Sequence, residues 1–214
     1  MKSLNPVIII GAKGIGKAAY DVLKSNKVVV YGFLDDDKSL HQTQIDDVTI
    51  LGETDDDGFL KLIGQKCDAF VAVENNKERE SIVKSLLERR KVMPINAIHS
   101  TSNISSTSTL GHGNFIGAGA IVNSFAEVGS HCILNSQCLL DHEVQLGDFV
   151  QIGAGSIIGA GAILEDNVFV GSGVTIVAGV KIGKNARIGA GSVVIGEVKA
   201  GKTLFGNPAK EIEK

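Results

Sequence analysis

From Ile104 to Val194, every sixth residue is isoleucine, leucine or valine. The series runs through Leu110, Ile116, Val122, Val128, Leu134, Leu140, Leu146, Ile152, Ile158, Leu164, Val170, Ile176, Ile182 and Ile188 without a slip. Chance does not hold one phase over sixteen positions, so this stretch repeats a structural unit of six residues. The next residue is often glycine (Gly111, Gly117, Gly129, Gly147, Gly153), and the residue two before is usually small (Ala120, Ala126, Cys132, Cys138). Each hexad reads as one short strand and a turn. The aliphatic points inward, the small residue fills the crowded corner, and the glycine relieves a turn that needs positive φ. Stacking buries a continuous column that no hexad buries alone. Cys132 and Cys138 fall on the small position and read as core fillers, not nucleophiles.

The residues before 98 follow another grammar. "VIII" (7–10) is a short apolar run, as a buried parallel strand requires. "GAKGIGKAAYDVLKSN" follows, glycines first and then a helix with Ala18, Ala19, Val22 and Leu23 on its inner face. "VVVYGFLDDD" (28–37) and "DAFVAVEN" (68–75) read as strands, and "KERESIVKSLLERR" (77–90) as a helix with Ile82, Val83, Leu86 and Leu87 on its apolar side. Strands alternating with helices predict a parallel sheet in a small Rossmann-like α/β domain over 1–97. An all-β solenoid follows over 98–199, then a capping loop and tail over 200–214.

Composition narrows the function classes. The net charge is −3, with no basic surplus for nucleic acid. No apolar run approaches the ~20 residues of a membrane span, and the short run after Met1 leads into a glycine turn rather than a cleavage site. A cytoplasmic protein is expected. Three cysteines make no disulfide framework.

Four marks carry a resemblance: the Gly-rich α/β domain placed before the repeats, "NAIHS" (96–100) at the junction, "NSQCLLDHE" (135–143) inside the repeats, and "FGNPAKEI" (205–212). Together they resemble the sugar O/N-acetyltransferases of the hexapeptide-repeat transferases, among them the bacillosamine-pathway and perosamine N-acetyltransferases and the sialic acid O-acetyltransferase. The resemblance covers essentially the whole chain. It implies a left-handed parallel β-helix with three hexads per coil, a homotrimer, and acetyl transfer from acetyl-CoA to an amine of a nucleotide-linked 4-amino sugar. A sugar hydroxyl, as in sialic acid, is the alternative acceptor.

It also implies a site. His142 is the general base, Glu143 or Asp141 assists it, and Asn135 positions the amine or the imidazole. Ala160, one coil of eighteen residues after His142, marks the region that supplies a backbone donor to the thioester oxygen. Gln151, Gly206, Asn207, Pro208 and Lys210 fall on the acetyl-CoA side. Gly11, Gly14 and Gly16, with Asp35 and Asp36, form the sugar-nucleotide site of the first domain. Relatives often carry histidines where this chain has Ile15 and Gln151, so the acceptor stays open, as do N- against O-acetylation and the nucleotide handle.

Other readings weigh against these. His41, His99, His112 and His131 lack acidic company and read as surface or turn residues. The spacing of His112, His131 and His142 does not suit a metal site, and no metal is expected. "GAKGIG" does not have the glycine order of a dinucleotide fingerprint, which disfavours an NAD-dependent oxidoreductase. A non-catalytic nucleotide-binding scaffold is the remaining class.

Overall fold

The computed structural model describes residues 5–212. They fall into two compact units divided between Ser100 and Thr101.

The first unit runs β1 (Val7–Ile10), α1 (Ile15–Ser25), β2 (Val30–Leu34), β3 (Gln44–Ile45), β4 (Val48–Gly52), α2 (Asp57–Leu60), β5 (Asp68–Val71) and α3 (Asn76–Arg90). The sheet order is β3-β4-β2-β1-β5. β1 pairs in parallel with both β2 and β5, β2 with β4, and only β3 runs antiparallel to its neighbour. The strand order therefore reverses between β1 and β5, which opens a crevice at their C-terminal ends. β1 is wholly buried, as its four aliphatics require.

Two details differ from the sequence expectation. In α1, Tyr20 is buried and Ala18 is exposed, because the helix turns its Ile15, Ala19, Val22 and Leu23 stripe inward. In α3, Val83 and Leu86 are buried with Arg79, while Leu87 is 46% exposed. Buried Arg79 is satisfied by the chain it braces: Nη1 donates to the Val73 carbonyl at 2.6 Å and to the Glu74 carbonyl at 3.1 Å.

The second unit is a parallel β-helix. Two-residue strands form three faces, and each strand pairs in parallel with the strand eighteen residues away, for example Leu139↔Ile157, Gln145↔Ile163 and Ile133↔Gln151. The first face includes Leu139–Leu140, the second Gln145–Leu146 and the third Gln151–Ile152. From Ile116 onward every sixth aliphatic is at most 5% exposed. Ile104 and Leu110 are half-buried, since the first coil has stacked neighbours on one side only within this unit.

The glycine reading needs correction. The glycine after each inward aliphatic does not take positive φ. It is there because the next coil lies too close: a Cβ on Gly153 would sit 2.4 Å from the Gly171 carbonyl carbon. Positive φ falls two residues later, at Gly113, Gly119, Gly155, Gly161, Gly173, Gly179 and Gly191, and at Phe125, His131, Gln137, Glu143, Phe149, Asn167 and Asn185.

The tail reading also changes. Residues 200–212 are not simply a loop, and the last two residues of the expected tail lie outside the described residues. Thr203–Gly206 adds a parallel strand to Arg187–Ile188, then folds back antiparallel through Ala209–Glu211. Leu204 stacks over Ile188, so the column gains a further aliphatic where an unpaired edge would otherwise lie.

Candidate active site

Asp141, His142 and Glu143 occupy the corner between the first and second faces of the β-helix. The preceding strand ends on buried Leu140, and buried Val144 leads into the next, so the backbone between them is fixed at both sides. The His142 side chain is 59% exposed. Its Nδ1 lies 3.0 Å from Asp141 Oδ1. The same oxygen accepts from the His142 backbone N–H at 2.8 Å and from Asn123 Nδ2 at 3.1 Å. These donors hold the Asp141 carboxyl below its ordinary range, the His142 N–H most, then the Asn123 amide, then the imidazole. An ionised carboxylate only accepts, so Nδ1 carries the hydrogen. In the neutral ring Nε2 is then bare and basic.

Glu143 lies in the left-handed region with φ 59°. Its N–H donates to the Ser124 carbonyl at 3.0 Å, and among the described residues its carboxylate has no partner. Of the two acids flanking His142, Asp141 is the one on the ring. Ala160 stacks one coil beyond His142. Gly161 N–H donates to the His142 carbonyl at 2.9 Å, and the Ala160 carbonyl accepts from Gly179 N–H at 2.8 Å. The Ala160 N–H itself donates to no group among the described residues.

The remaining predicted residues of this unit stand elsewhere. Asn135 lies at the corner between the third and first faces, with Leu139–Leu140 separating it from His142, and its Nδ2 donates to the Ile152 carbonyl at 3.1 Å. Gln151 opens a third-face strand, half-buried between Ile133 and Phe169 in register. One chain thus carries two clusters: Asp141, His142, Glu143 and Ala160 at one corner, and Asn135 with Gln151 along another edge. Asn207 and Pro208 form the exposed tip of the C-terminal hairpin, joined by a cis peptide bond. Gly206 N–H donates to Ser192 Oγ at 3.1 Å, and Lys210 is paired with Phe205 across the hairpin.

In the first unit a cleft of about 350 Å³ opens where β1 and β5 end, lined by Gly11, Lys13, Gly14, Asp35, Ala72, Val73, Glu74, Asn75 and Glu78. Helix α1 has no side-chain cap and no acid in its first turn; Gly16 N–H donates to the Lys13 carbonyl at 2.6 Å and Lys17 N–H to the Gly14 carbonyl at 3.1 Å, which leaves the Ile15 N–H without an acceptor among the described residues. Gly16 does not line it. A Cβ there would meet the Gly11 carbonyl oxygen at 2.1 Å, so Gly16 lets the loop close. The Ile15 side chain is buried, at 6% exposure, and takes no part in the lining.

Asp35 accepts from Ala12 N–H at 2.8 Å and Asp37 N–H at 3.0 Å, clamping the glycine loop to the end of β2. Asp36 points elsewhere. It accepts from Thr54 N–H at 2.8 Å and lines a second cleft with Thr54, Asp55, Ser81 and Ser85. Successive residues of an extended chain face opposite ways, and this separates the two acids that the sequence placed together. Lys13 binds Asp37 at 2.6 Å, which raises the lysine and lowers the Asp37 carboxyl to about 2. Sequence reasoning missed the β5 side, Ala72 to Glu78. The signal was the end of "DAFVAV", since ligands of such sheets sit beyond strand C-termini.

Among the described residues no group of three or more His, Cys, Asp or Glu is placed to hold a metal ion, and no helix is long and apolar enough to cross a membrane.

The profile of the PglD N-terminal domain matches residues 6–86, and that of the bacterial transferase hexapeptide, six repeats, matches residues 161–196. No curated protein matches. Among solved structures, PerB from Caulobacter crescentus, in complex with CoA and GDP-perosamine, is 27% identical over 97% of each chain, with a TM-score of 0.89. The acetyltransferase domain of PglB from Neisseria gonorrhoeae, in complex with acetyl coenzyme A, is 25% identical over 98% of this chain and 100% of that one, also with a TM-score of 0.89. WeeI from Acinetobacter baumannii shares the fold at 22% identity and a TM-score of 0.61, covering 97% of this chain and 99% of that one. The chain is an acyltransferase of the hexapeptide-repeat type with a PglD N-terminal domain, built as the sugar N-acetyltransferases are.

Proposed function

We propose that this protein transfers acetyl from acetyl-CoA to an amino group of a nucleotide-linked 4-amino sugar, with His142 as general base. The observation that carries the reading is the Asp141–His142 contact, which leaves Nε2 bare on an exposed corner one coil from an unpaired N–H at Ala160. The acceptor nitrogen attacks the thioester carbon and gives its proton to Nε2. The carbonyl oxygen gains charge and accepts from the Ala160 N–H. Collapse breaks the C–S bond, the CoA thiolate leaves and takes the proton from the imidazolium, and no covalent enzyme intermediate is formed. PerB, which is similar over nearly its whole length, binds CoA and GDP-perosamine, and this supports the amino-sugar acceptor.

The two separated clusters support a homotrimer. Asn135 and Gln151 of a neighbouring copy complete the groove that His142 faces, and acetyl-CoA lies along it against the hairpin around Gly206, Asn207, Pro208 and Lys210. The cleft at Gly11 and Gly14 takes the nucleotide diphosphate at the N-terminus of α1, with Lys13 nearby. Gly16 and Asp35 shape this loop. The protein acts in the cytoplasm.

The test is CoA release from acetyl-CoA with a panel of UDP-, GDP- and CMP-linked amino sugars, together with sialic acid as a hydroxyl acceptor. The expected result is turnover with a 4-amino sugar, reduced about 10²–10⁴-fold by His142→Ala. Turnover unchanged in His142→Ala would remove this residue from the reaction.

A further inference from the structure

One donor to Asp141 comes from outside the acidic triplet. Asn123 stands at the same corner one coil earlier, and its Nδ2 donates to Asp141 Oδ1 at 3.1 Å. The Asn123 backbone is tied on both sides. Its N–H donates to the Leu140 carbonyl at 2.9 Å, and its carbonyl accepts from Ala126 N–H at 3.2 Å. The side-chain amide is therefore delivered from a rigid rung of the solenoid.

We propose that Asn123 is a positioning residue for His142: it fixes the Asp141 carboxylate, which in turn fixes the imidazole as its Nδ1–H tautomer. This rests on the reading of His142 as the base. The imidazole is 59% exposed and the Asp141 side chain 37%, so water competes for both. Of the two other donors to Oδ1, the His142 backbone N–H is fixed in the same corner and the imidazole Nδ1–H moves with the ring. Only the Asn123 amide refers the carboxylate to a second coil. Without it the carboxylate keeps one fixed donor, the adjacent His142 N–H, and is free to pivot about that bond toward water; the ring then holds its partner only part of the time, and the imidazole divides between two tautomers. The Nε2–H form has no lone pair at Nε2 and accepts no proton there.

The test uses full-length protein labelled with 15N-histidine, with the His142 signals identified by their loss in His142→Ala. At alkaline pH, where imidazole is neutral, nitrogen shifts and couplings report the tautomer. Wild-type protein is expected to show the Nδ1–H form. Asn123→Ala, and Asn123→Asp (which keeps the shape and removes the donor), are expected to show a mixture. Their kcat should fall about tenfold, part of what a general base contributes, with the KM for acetyl-CoA unchanged. If Asn123→Ala does not fold, Asn123→Asp carries the test. A pure Nδ1–H tautomer in the folded variant overturns the proposal. The readout needs no acceptor, so it is separate from the reading it rests on. Full turnover in His142→Ala would sink the base and leave the positioning chain to be judged by the spectra.

Discussion

At the scale of residues, the site turns on which carboxylate serves the imidazole. Asp141 and Glu143 flank His142 symmetrically in sequence, and periodicity does not distinguish them. The backbone does: Asp141 directly follows the strand, while Glu143 sits at the left-handed position, where its side chain is turned away from that contact. Asp141→Asn is therefore expected to lower kcat more than Glu143→Gln, measured side by side with the same acceptor. The acid dependence has a definite sign. Folding lowers the Asp141 carboxyl below its ordinary value, so its stabilising contribution is complete above about pH 4 and fades as pH falls through the lowered value. Unfolding scans should show Asp141→Asn destabilising at neutral pH, with the difference shrinking in strong acid. Burial pushes the Cys138 thiol up to about 12. All three cysteines are buried. Thiol reagents at neutral pH should label none in the native protein and all three in denaturant.

Much at this scale was legible. The resemblance marks Asp141, His142 and Glu143 together, without telling which acid meets the ring. Asn123 does not stand out, because an asparagine after a strand reads as turn chemistry. One coil subtracted from Asp141 would have found it. The different placements of Asp35 and Asp36 are not legible in a run of three acids, because they depend on the direction of each side chain.

At the scale of elements, the two glycine classes of the solenoid make opposite predictions. Gly153 lies where an added Cβ would meet the backbone of the next coil at 2.4 Å, so Gly153→Ala should cost about 1–3 kcal/mol, read as a fall in Tm. Gly155 has φ +66° with nothing within 4 Å of an added Cβ. Asparagine already occupies the equivalent corner at Asn167 and Asn185, so Gly155→Asn should change stability by less than about 1 kcal/mol. The six-residue beat told where the strands are, because a two-residue strand exposes its inward side chain once per hexad. It did not tell which residue bends the corner, since close approach and positive φ both select glycine. The β3–β4 hairpin escaped notice for another reason: "QIDDVTILG" holds few apolar residues before its last strand, and the pairing, not the pattern, makes it a sheet edge.

At the scale of the whole molecule, the order of an α/β domain followed by a β-helix was readable because the two halves bury their residues with different periods. The proposed homotrimer rests on the resemblance, not on the period of either half. Its consequence is testable by complementation. Neither His142→Ala nor Asn135→Ala chains should turn over well alone, while mixed trimers refolded from both should recover activity at the grooves where intact residues meet. No recovery would place both residues in one chain's site.

The stacking of coils has one last consequence. His142 and Ala160 stand on adjacent rungs, and rungs of a parallel sheet are about 4.8 Å apart whatever side chains they carry. Evolution can change what stands on each rung but not the step between them. The proposed proton acceptor and the proposed donor to the thioester oxygen are therefore held by a ruler with one graduation. A new acceptor must be accommodated by exchanging the side chains around that interval, because the interval itself is set by backbone hydrogen bonding.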